Sequence, residues 1–343
     1  MTELRYIEVS GSPRAMGEAH GEEFRDAIRR FTERRIEHCL GFVDKYDPGR
    51  PIGREDVLRV ADIVMRPHRQ YDDDIWQEFE GIAHGAGVAL PLLLVGNGLT
   101  DLRDLVLMGD GMGADHREPR SADGQSGGDT GECTSFACSA EVSGGSPIIG
   151  QTWDMHPDAR DYLAIVRRRP SDAPETLSLT TVGCLSLAGM NSEGVAVCNN
   201  NLIPTDPRPG VNYLFAITRA LAATTASEAV GVIEETPRLS GHNFVVGDAS
   251  STFNVETTAT AAVLTDVRGD VFVHANHYTA PALLSAAYER IDRAGSRWRE
   301  THLVELFRDA PRPITADVCW EFLSDSTRGA GAVCNEDYDG VYG

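Results

Sequence analysis

The sequence predicts an α+β protein in which antiparallel sheets follow a helical N-terminal segment. Apolar side chains recur at helical spacing through the first hundred residues, and the period changes to that of β-strands after Cys133. Strands then come in two runs separated by a pair of helices, instead of alternating singly with helices. Such runs favour antiparallel sheets with segregated helices over a parallel βαβ sheet.

The N-terminal segment is predicted to be a succession of helices. Apolar residues repeat at helical spacing over 13–31, 55–65 and 73–87, and Pro91 stands where a further helix begins. From 109 to 131 the composition shifts to Gly, Asp, Ser and Arg with almost nothing apolar. Such a stretch does not form a packed element, so we expect a flexible surface loop there.

The segment after Cys133 is predicted to be rich in strands. A turn at Gly144-Gly145 separates two alternating runs, which indicates a hairpin. The predicted strands are 134–142, 147–153, 162–167, 176–182, 185–190, 195–199, 244–247, 252–256, 261–265 and 271–275. Helices are predicted over 213–223 and 226–235, and a long one over 282–307.

Charge and composition exclude several classes of function. Acidic residues outnumber basic ones by 52 to 31, and the formal charge of −21 would repel nucleic acids and anionic membrane surfaces. The N-terminus has no apolar run of signal-peptide length, and no stretch reaches the roughly 18 apolar residues of a membrane span. We therefore expect a cytoplasmic protein without nucleic-acid or membrane partners.

The cysteines fit neither a disulfide framework nor a zinc cluster. They are seven in number and widely spaced, so most are expected to be buried in the core. At most one of them needs to take part in a reaction. They are Cys39, Cys133, Cys138, Cys184, Cys198, Cys319 and Cys334.

Cys133 is the candidate nucleophile because a polar loop leads into it and a strand leaves from it. If the bond between Glu132 and Cys133 is cut, the thiol and a new α-amino group share one residue. That amine has a pKa of about 8 and can act as a local base for the thiol. On its position alone, a cysteine that merely begins a strand is the simpler interpretation.

Two polar residues stand at strand ends where they can meet Cys133. Asp154 follows Trp153 at the end of the second hairpin strand and can fold back beside the start of the first, although a turn aspartate is the commoner interpretation. Asn276 ends another apolar strand, and its amide is a candidate donor to an oxyanion.

The two histidines beside Asn276 leave competing interpretations open. His274 and His277 are candidate metal ligands, but their spacing puts them on opposite faces of a strand and no third ligand is evident. A papain-like pair of Cys133 with His242 or His274 is the other alternative. The residues around Cys133 lack the signature of that family.

Further polar residues lie near the C-terminus and in strand turns. Arg328 could neutralise a carboxylate or thiolate, and the Thr327 hydroxyl could assist backbone rearrangement, although a solvated turn explains both equally. Asn191 and Asn199 are weaker candidates for substrate binding, as is Trp153.

The order of these motifs resembles the acyl-coenzyme A:6-aminopenicillanic acid acyltransferase (isopenicillin N acyltransferase) family, also classed as peptidase family C45. The resemblance covers nearly the whole chain. It begins with the glycines and His20 of residues 11–21 and the Glu80-Gly81 segment. It continues through Cys133-Thr134-Ser135, 150–154, 191–197, 274–277 and 327–330.

The resemblance implies a four-layer αββα N-terminal-nucleophile (Ntn) hydrolase fold, made as a precursor that cuts itself. One composite domain would then contain an α chain of about 1–132 and a β chain of 133–343. By the same resemblance Cys133 is the nucleophile, Asp154 and Arg328 form its supporting network, and Asn276 is an oxyanion donor. Thr327 falls where the family has a serine tied to processing.

The sequence departs from the family in three places. Glu132 replaces the glycine that precedes the nucleophile, and the loop 109–131 is longer than expected. The family adds further strands after the position of Arg328, whereas this sequence ends at Gly343, so an open sheet edge is expected.

The expected activity is ping-pong acyl transfer from an amide or thioester through an acyl-Cys133 intermediate. Hydrolysis of small amides and coenzyme-A-dependent transfer are both compatible with the sequence. No metal or redox cofactor is required, and acyl-coenzyme A is a possible co-substrate. The alternative is a protein without catalytic activity, in which the uncut chain acts as a binding protein.

Overall fold

The computed structural model describes residues 4–108, 133–329 and 331–335. The first of these ranges is helical apart from one strand, as the apolar spacing predicts. Strand β1 (Arg5–Gly11) precedes α1 (Pro13–Glu23), α2 (Arg25–Tyr46), α3 (Arg54–Tyr71), α4 (Asp73–Ala86), α5 (Leu90–Asn97) and α6 (Leu99–Met108). The helix predicted over 13–31 is two helices, because Phe24 leaves the helical conformation with φ −108° and ψ 20°.

The second range alternates between runs of strands and pairs of helices. Its strands are β2 (Cys133–Cys138), β3 (Ile148–Trp153), β4 (Leu163–Pro170), β5 (Thr176–Thr181), β6 (Ala188–Asn191), β7 (Ala196–Leu202), β8 (Gly241–Gly247), β9 (Thr252–Thr257), β10 (Ala262–Asp266) and β11 (Val271–His274). Its helices are α7 (Ala140–Ser143), α8 (Tyr213–Ala220), α9 (Ala226–Glu235), α10 (Ala294–Asp309) and α11 (Ala316–Leu323).

Two sequence predictions about these elements are wrong in part, and one strand was missed. The strand predicted over 134–142 ends at Cys138, because the single-turn helix α7 follows and Gly144 closes it with a left-handed φ of 72°. The helix predicted over 282–307 begins only at Ala294. Within the earlier stretch Leu283 and Ile291 are buried in two different apolar clusters, so tertiary packing overrides the helical spacing. Strand β1 was not predicted at all.

The strands form two sheets. The larger has the order β1-β4-β5-β6-β7-β8-β9-β10, and the smaller has the order β11-β2-β3. Every pair is antiparallel except β1 with β4, which is parallel. The antiparallel prediction therefore holds for all neighbours but one.

The two sheets pack face to face and carry helices on their outer faces. Ala137 of β2 meets Cys198 and Val245 of the large sheet in one apolar cluster between the sheets. On the far side of the large sheet, a second cluster joins β7 and β8 to α8 and α9. On the far side of the small sheet, a third joins β2 and β11 to α10 and α11. These layers confirm the predicted αββα arrangement.

The N-terminal helices share one large core with the rest of the chain. Its buried side chains come from α1 to α6 and also from β4 and α8. A buried ion pair between Arg168 of β4 and Glu78 of α4, 2.6 Å apart, adds a polar tie between the same two parts. Among the residues that the structure describes, no single helix could cross a membrane. Helices α4 and α5 reach that length and composition only together, and they bend by 113° where they meet.

Two buried, neutral histidines of the helical segment accept hydrogen bonds from backbone nitrogens of the later part of the chain. The ring Nε2 of His20 accepts a hydrogen bond from the Gly183 nitrogen at 3.0 Å, and that of His68 accepts one from the Asn212 nitrogen at 3.0 Å. Burial lowers the pKa of His20 to about 3 and that of His68 to about 4. Both imidazoles must therefore take up a proton when the chain unfolds in mild acid.

The thermal midpoint is expected to fall as the pH drops below about 6.5, the ordinary pKa of an unfolded histidine. The stability due to each neutral imidazole is complete above that pH and is lost as the pH falls towards the folded pKa, by up to about 1.4 kcal/mol per pH unit per histidine. Circular dichroism melts at pH 7, 6 and 5 measure this. His20→Gln, whose amide oxygen can accept from Gly183, should show a shallower slope. If the melting temperature of this variant falls with pH as steeply as that of the wild type, His20 is not a source of the acid sensitivity.

Candidate active site

Cys133 is the first residue of β2 and is 3% exposed. It lies opposite Trp153 in the antiparallel pair of β2 with β3. Because side chains alternate along a strand, Cys133 shares the face of Ala137, which packs against the large sheet. The thiol therefore belongs to the space between the two sheets, at the end of the small one.

The backbone nitrogen of Cys133 is held by a side chain from the neighbouring strand. Asn276 follows β11 by two residues, and β11 pairs with β2 so that His274 lies opposite Ser135. This register brings the Oδ1 atom of Asn276 to 2.6 Å from the Cys133 nitrogen, which donates to it. The structure thus brings together Cys133 and Asn276, which are 143 positions apart in sequence.

The orientation of the Asn276 amide follows from its partners. Oδ1 accepts from the Cys133 nitrogen and from Nη2 of Arg299 at 2.9 Å, while Nδ2 donates to the carbonyl of Asn201 at 3.0 Å. Two donors on one side and one acceptor on the other are compatible with a single rotamer of the amide. The carbonyl oxygen of Asn276 therefore faces the nitrogen of Cys133. One hydrogen of Nδ2 is given to Asn201, and the other remains for a substrate. That this second hydrogen is donated to an oxyanion stays a prediction.

Arg299 is a buried cation that sequence reasoning missed. It is 0% exposed, and its Nε atom donates to Oγ1 of Thr134 at 3.1 Å while Nη2 reaches Asn276. The guanidinium therefore bridges the residue that follows Cys133 and the amide that holds its nitrogen. The signal lay in the spacing of α10, because Arg299 stands on the same buried stripe as Ser296, Leu303 and Phe307.

Asp154 and Trp153 lie beside the nucleophile by register. Trp153 is opposite Cys133, and Asp154 is the next residue along the chain as it leaves β3. Both side chains are partly buried. The register places Asp154 near the start of β2, and the role of its carboxylate at the α-amino group stays a prediction.

Arg328 and Thr327 lie elsewhere, on the outer helical layer. Both are exposed. The guanidinium of Arg328 stacks over the ring of Trp298 at 4.3 Å, and Thr327 bonds to Asp325 through its nitrogen and its hydroxyl. These contacts do not bring the two residues together with Cys133. Glu132, the other half of the expected cleavage site, lies outside the described residues.

The two asparagines predicted as weak binding residues serve the backbone. Asn191 donates to the carbonyls of Leu221 and Ala223 and accepts from two nitrogens of its own turn. Asn199 donates to the carbonyl of Leu187. Each amide is engaged in fixing a loop or a strand.

The histidines of the alternative interpretations are also engaged. Nε2 of His242 lies 2.6 Å from Asp101, and Nε2 of His274 lies 3.0 Å from Glu256. Hydrogen bonds from His274, Thr279 and Ala280 lower the pKa of the buried Glu256 to about 2, against the effect of desolvation. Within residues 4–108, 133–329 and 331–335, no group of three or more potential metal ligands is found.

A cavity of about 650 Å³ adjoins the Asn276 side chain. Apolar and aromatic side chains line it together with charged residues of both signs, the acidic ones being Glu289 and Asp292. Its walls include Ile203, Tyr278, Leu284, Tyr288, Arg293 and Arg297.

Comparison with known proteins gives a consistent family. The family model described as acyl-coenzyme A:6-aminopenicillanic acid acyl-transferase matches residues 142–340. The acyl-coenzyme A:6-aminopenicillanic-acid-acyltransferase 40 kDa form of Emericella nidulans is 24% identical over 279 residues, which are 80% of this chain and 69% of that protein.

Solved structures give partial likenesses. The Caenorhabditis elegans N-acylethanolamine-hydrolyzing acid amidase ortholog is 17% identical and aligns over 57% of this chain and 87% of its own, with a TM-score of 0.46. Penicillin V acylase from Agrobacterium tumefaciens is 16% identical and aligns over 41% and 43%, with a TM-score of 0.25.

Proposed function

Because this chain belongs to the acyl-coenzyme A:6-aminopenicillanic acid acyl-transferase family, we propose that it cuts itself before Cys133 and then transfers or hydrolyses acyl groups through that cysteine. The observation that carries the proposal is the hydrogen bond from the Cys133 nitrogen to Asn276. It is a buried, specific contact at the one backbone atom that becomes an amine when the bond is cut.

Self-cleavage is proposed to begin with attack of the Cys133 thiol on the carbonyl of Glu132. The peptide C–N bond breaks, a thioester to Cys133 forms, and the proton from sulfur passes to the departing nitrogen. Water then hydrolyses the thioester, which leaves a carboxylate on Glu132 and a free thiol and amine on Cys133. Asn276 supports this step because it fixes the position of the nitrogen that departs.

The free α-amine is proposed to be the general base of the mature enzyme. Its pKa of about 8 suits proton transfer near neutral pH. One of its hydrogens donates to Oδ1 of Asn276, which turns the lone pair towards the thiol on the same residue. Asp154 is proposed to orient the amine from the side of β3.

Acyl transfer then follows in two balanced steps. The thiolate adds to the substrate carbonyl, the ammonium gives its proton to the leaving amine or thiol, and an acyl-Cys133 thioester results. Water or an acceptor amine then attacks the thioester, gives its proton back to the α-amine and releases the product. The hydrogen of Asn276 Nδ2 that is not given to Asn201 is the proposed oxyanion donor.

Arg299 is proposed as the cationic positioning residue of this site. It contacts both Thr134 and Asn276, whereas Arg328 is exposed against Trp298. We therefore place neither Arg328 nor Thr327 in the mechanism. Small amides and acyl thioesters, acyl-coenzyme A among them, are the proposed substrates.

The proposal is tested by the mass of the purified protein. We expect two fragments that meet between Glu132 and Cys133, and a single uncut chain for Cys133→Ala. Cys138→Ala is the matched control, since it removes a buried thiol from the other end of the same strand. A wild-type chain that stays whole would contradict the proposal and favour the binding-protein alternative. With cut enzyme, an added amine that diverts the acyl group from water distinguishes a transferase from a hydrolase.

A further inference from the structure

Asn276 stands beyond the hydrogen-bond ladder that fixes the strands. Strand β11 ends at His274, and residues 275–283 form neither helix nor strand. A buried main-chain nitrogen past the end of a strand needs another partner, because such groups are almost always paired. That partner is the Oγ atom of Ser296 on α10, which accepts from the Asn276 nitrogen at 2.7 Å. A serine hydroxyl therefore holds the main chain of the residue that in turn holds Cys133.

The Ser296 hydroxyl is buried and has a second contact. Its Oγ atom lies 2.8 Å from Nδ1 of His277. No other acceptor for this hydroxyl is found among the residues that the structure describes, so its single hydrogen is directed to Nδ1. A ring nitrogen that accepts a hydrogen bond carries no proton, and the proton of a neutral ring then belongs to Nε2.

The other side of the His277 ring supports this tautomer. Nε2 lies 3.3 Å from Oε2 of Glu300, which stands one turn beyond Ser296 on α10. The side chains of His277 and Glu300 are only 12% and 24% exposed. Burial lowers the pKa of His277 to about 4, so the ring is neutral near pH 7. A neutral ring with its N–H towards a carboxylate presents its lone pair to Ser296.

These contacts form one continuous path from α10 to the nucleophile. Glu300 faces His277, and His277 accepts from the Ser296 hydroxyl. That hydroxyl accepts from the Asn276 nitrogen, and Oδ1 of Asn276 accepts from the Cys133 nitrogen at 2.6 Å. We call Glu300, His277 and Ser296 the His277 relay.

The far end of the same stretch is held by different contacts. The nitrogens of Thr279 and Ala280 donate to the Glu256 carboxylate at 3.1 and 3.0 Å. The Tyr278 hydroxyl donates to the Thr257 carbonyl at 2.9 Å. Loss of the His277 relay should therefore loosen the Asn276 end without detaching the stretch from the large sheet.

We propose that His277 is a positioning residue of the Cys133 site, which directs the Ser296 hydroxyl and thereby fixes Asn276. The inference rests on the proposed function and deepens it, because the placement of the oxyanion donor then depends on the tautomer of one histidine. A donor that acts only on the developing oxyanion stabilises the transition state more than the bound substrate. Loss of the relay should therefore lower kcat and leave KM nearly unchanged.

Two substitutions separate the two ring nitrogens of His277. The amide of asparagine reaches the place of Nδ1, where its oxygen can accept from Ser296, whereas the amide of glutamine reaches the place of Nε2. We expect His277→Gln to slow chain cleavage and to lower kcat for octanoyl p-nitroanilide by about 10- to 100-fold. His277→Asn should keep most of both rates, although asparagine is the smaller residue. Mass spectrometry during cell-free synthesis follows chain cleavage, and absorbance follows the anilide.

A double substitution tests whether His277 acts through Ser296. Ser296→Ala removes the hydroxyl and should cause a loss similar to that of His277→Gln. In the Ser296→Ala background, His277→Gln should add no further loss, because effects within one hydrogen-bond network are not additive. His302→Gln is the matched control, since it removes a histidine whose Nε2 lies 2.6 Å from Asp325 elsewhere on α10. It should keep the wild-type rates.

The possible failures are distinguishable. Equal rates in His277→Asn and His277→Gln, or losses that multiply in the double variant, would overturn the inference and leave the proposed function standing. A higher KM with unchanged kcat would also overturn it, because His277 would then act only as part of the cavity wall that it lines. A wild-type chain that stays whole would contradict the proposed function, and the inference with it.

Discussion

Arg299→Gln is expected to slow both self-cleavage and acyl transfer by about 100-fold, the effect of a small misplacement of reacting groups. Arg299 donates to Thr134 and to Oδ1 of Asn276, so its loss removes one of the three contacts that orient the Asn276 amide. The amide is then held less firmly, and the acceptor of the α-amine shifts from its position. The rate of chain cleavage, followed by mass spectrometry, and kcat for a simple amide measure the two effects.

The pH profile separates a positioning role from a general loss of stability. A cation close to the α-amine disfavours its protonated form, so the amine becomes an effective base at lower pH. Without the cation, the rise of kcat/KM with pH should move upward by about one pH unit. Arg299→Lys keeps the charge but not the fork of donors, and should lower kcat with little shift of the profile.

Arg308→Gln is the matched control on the same helix, because Arg308 is exposed and contacts only its neighbour Asp309 among the described residues. We expect wild-type cleavage and an unshifted profile. If the Arg299→Gln enzyme cleaves itself at the wild-type rate, Arg299 has no positioning role at the cleavage site.

The sequence predicts the layers and part of the site, and the missing parts have physical causes. Asn276 was a candidate because it stands at the end of an apolar strand, and Cys133 because a polar loop leads into it and a strand leaves from it. The family resemblance, and not position alone, made Cys133 the preferred nucleophile. Arg299 was missed because α10 is rich in charge, and a charged residue on a helix is usually solvated. Its position on the stripe of Leu303 and Phe307 was the available signal.

The assignment of Arg328 shows the limit of reasoning from motif order. A motif gives a residue type and an order along the chain, whereas the direction of a side chain depends on tertiary packing. In the structure Arg328 lies over Trp298 on the outer layer, and the buried guanidinium next to Asn276 comes from another helix. The orientation of the Asn276 amide was likewise unpredictable, since it depends on partners from three separate elements.

The glycine and histidine motif of residues 11–21 has a packing role. A Cβ atom on Gly17 would lie 2.0 Å from the Glu78 carbonyl oxygen, and one on Gly81 would lie 2.4 Å from that of Arg14. Gly21 and Gly85 repeat this contact one turn further along. Helices α1 and α4 therefore touch through their backbones, and these atoms cannot move aside as a side chain could.

Gly17→Ala is expected to destabilise the protein by about 3–5 kcal/mol, the upper range for single substitutions. The new methyl group would have to push two helix backbones apart by more than an ångström, which would open the core that they share with β4. Urea unfolding in the Cys133→Ala background, where the chain is expected to stay whole, measures the change.

Gly231→Ala on α9 is the control, because a Cβ there meets nothing within 4 Å. It should stabilise by about 0.5–1 kcal/mol through helix propensity. If both variants unfold at the wild-type urea concentration, the close contact of α1 with α4 is not what holds the helical segment to the sheets.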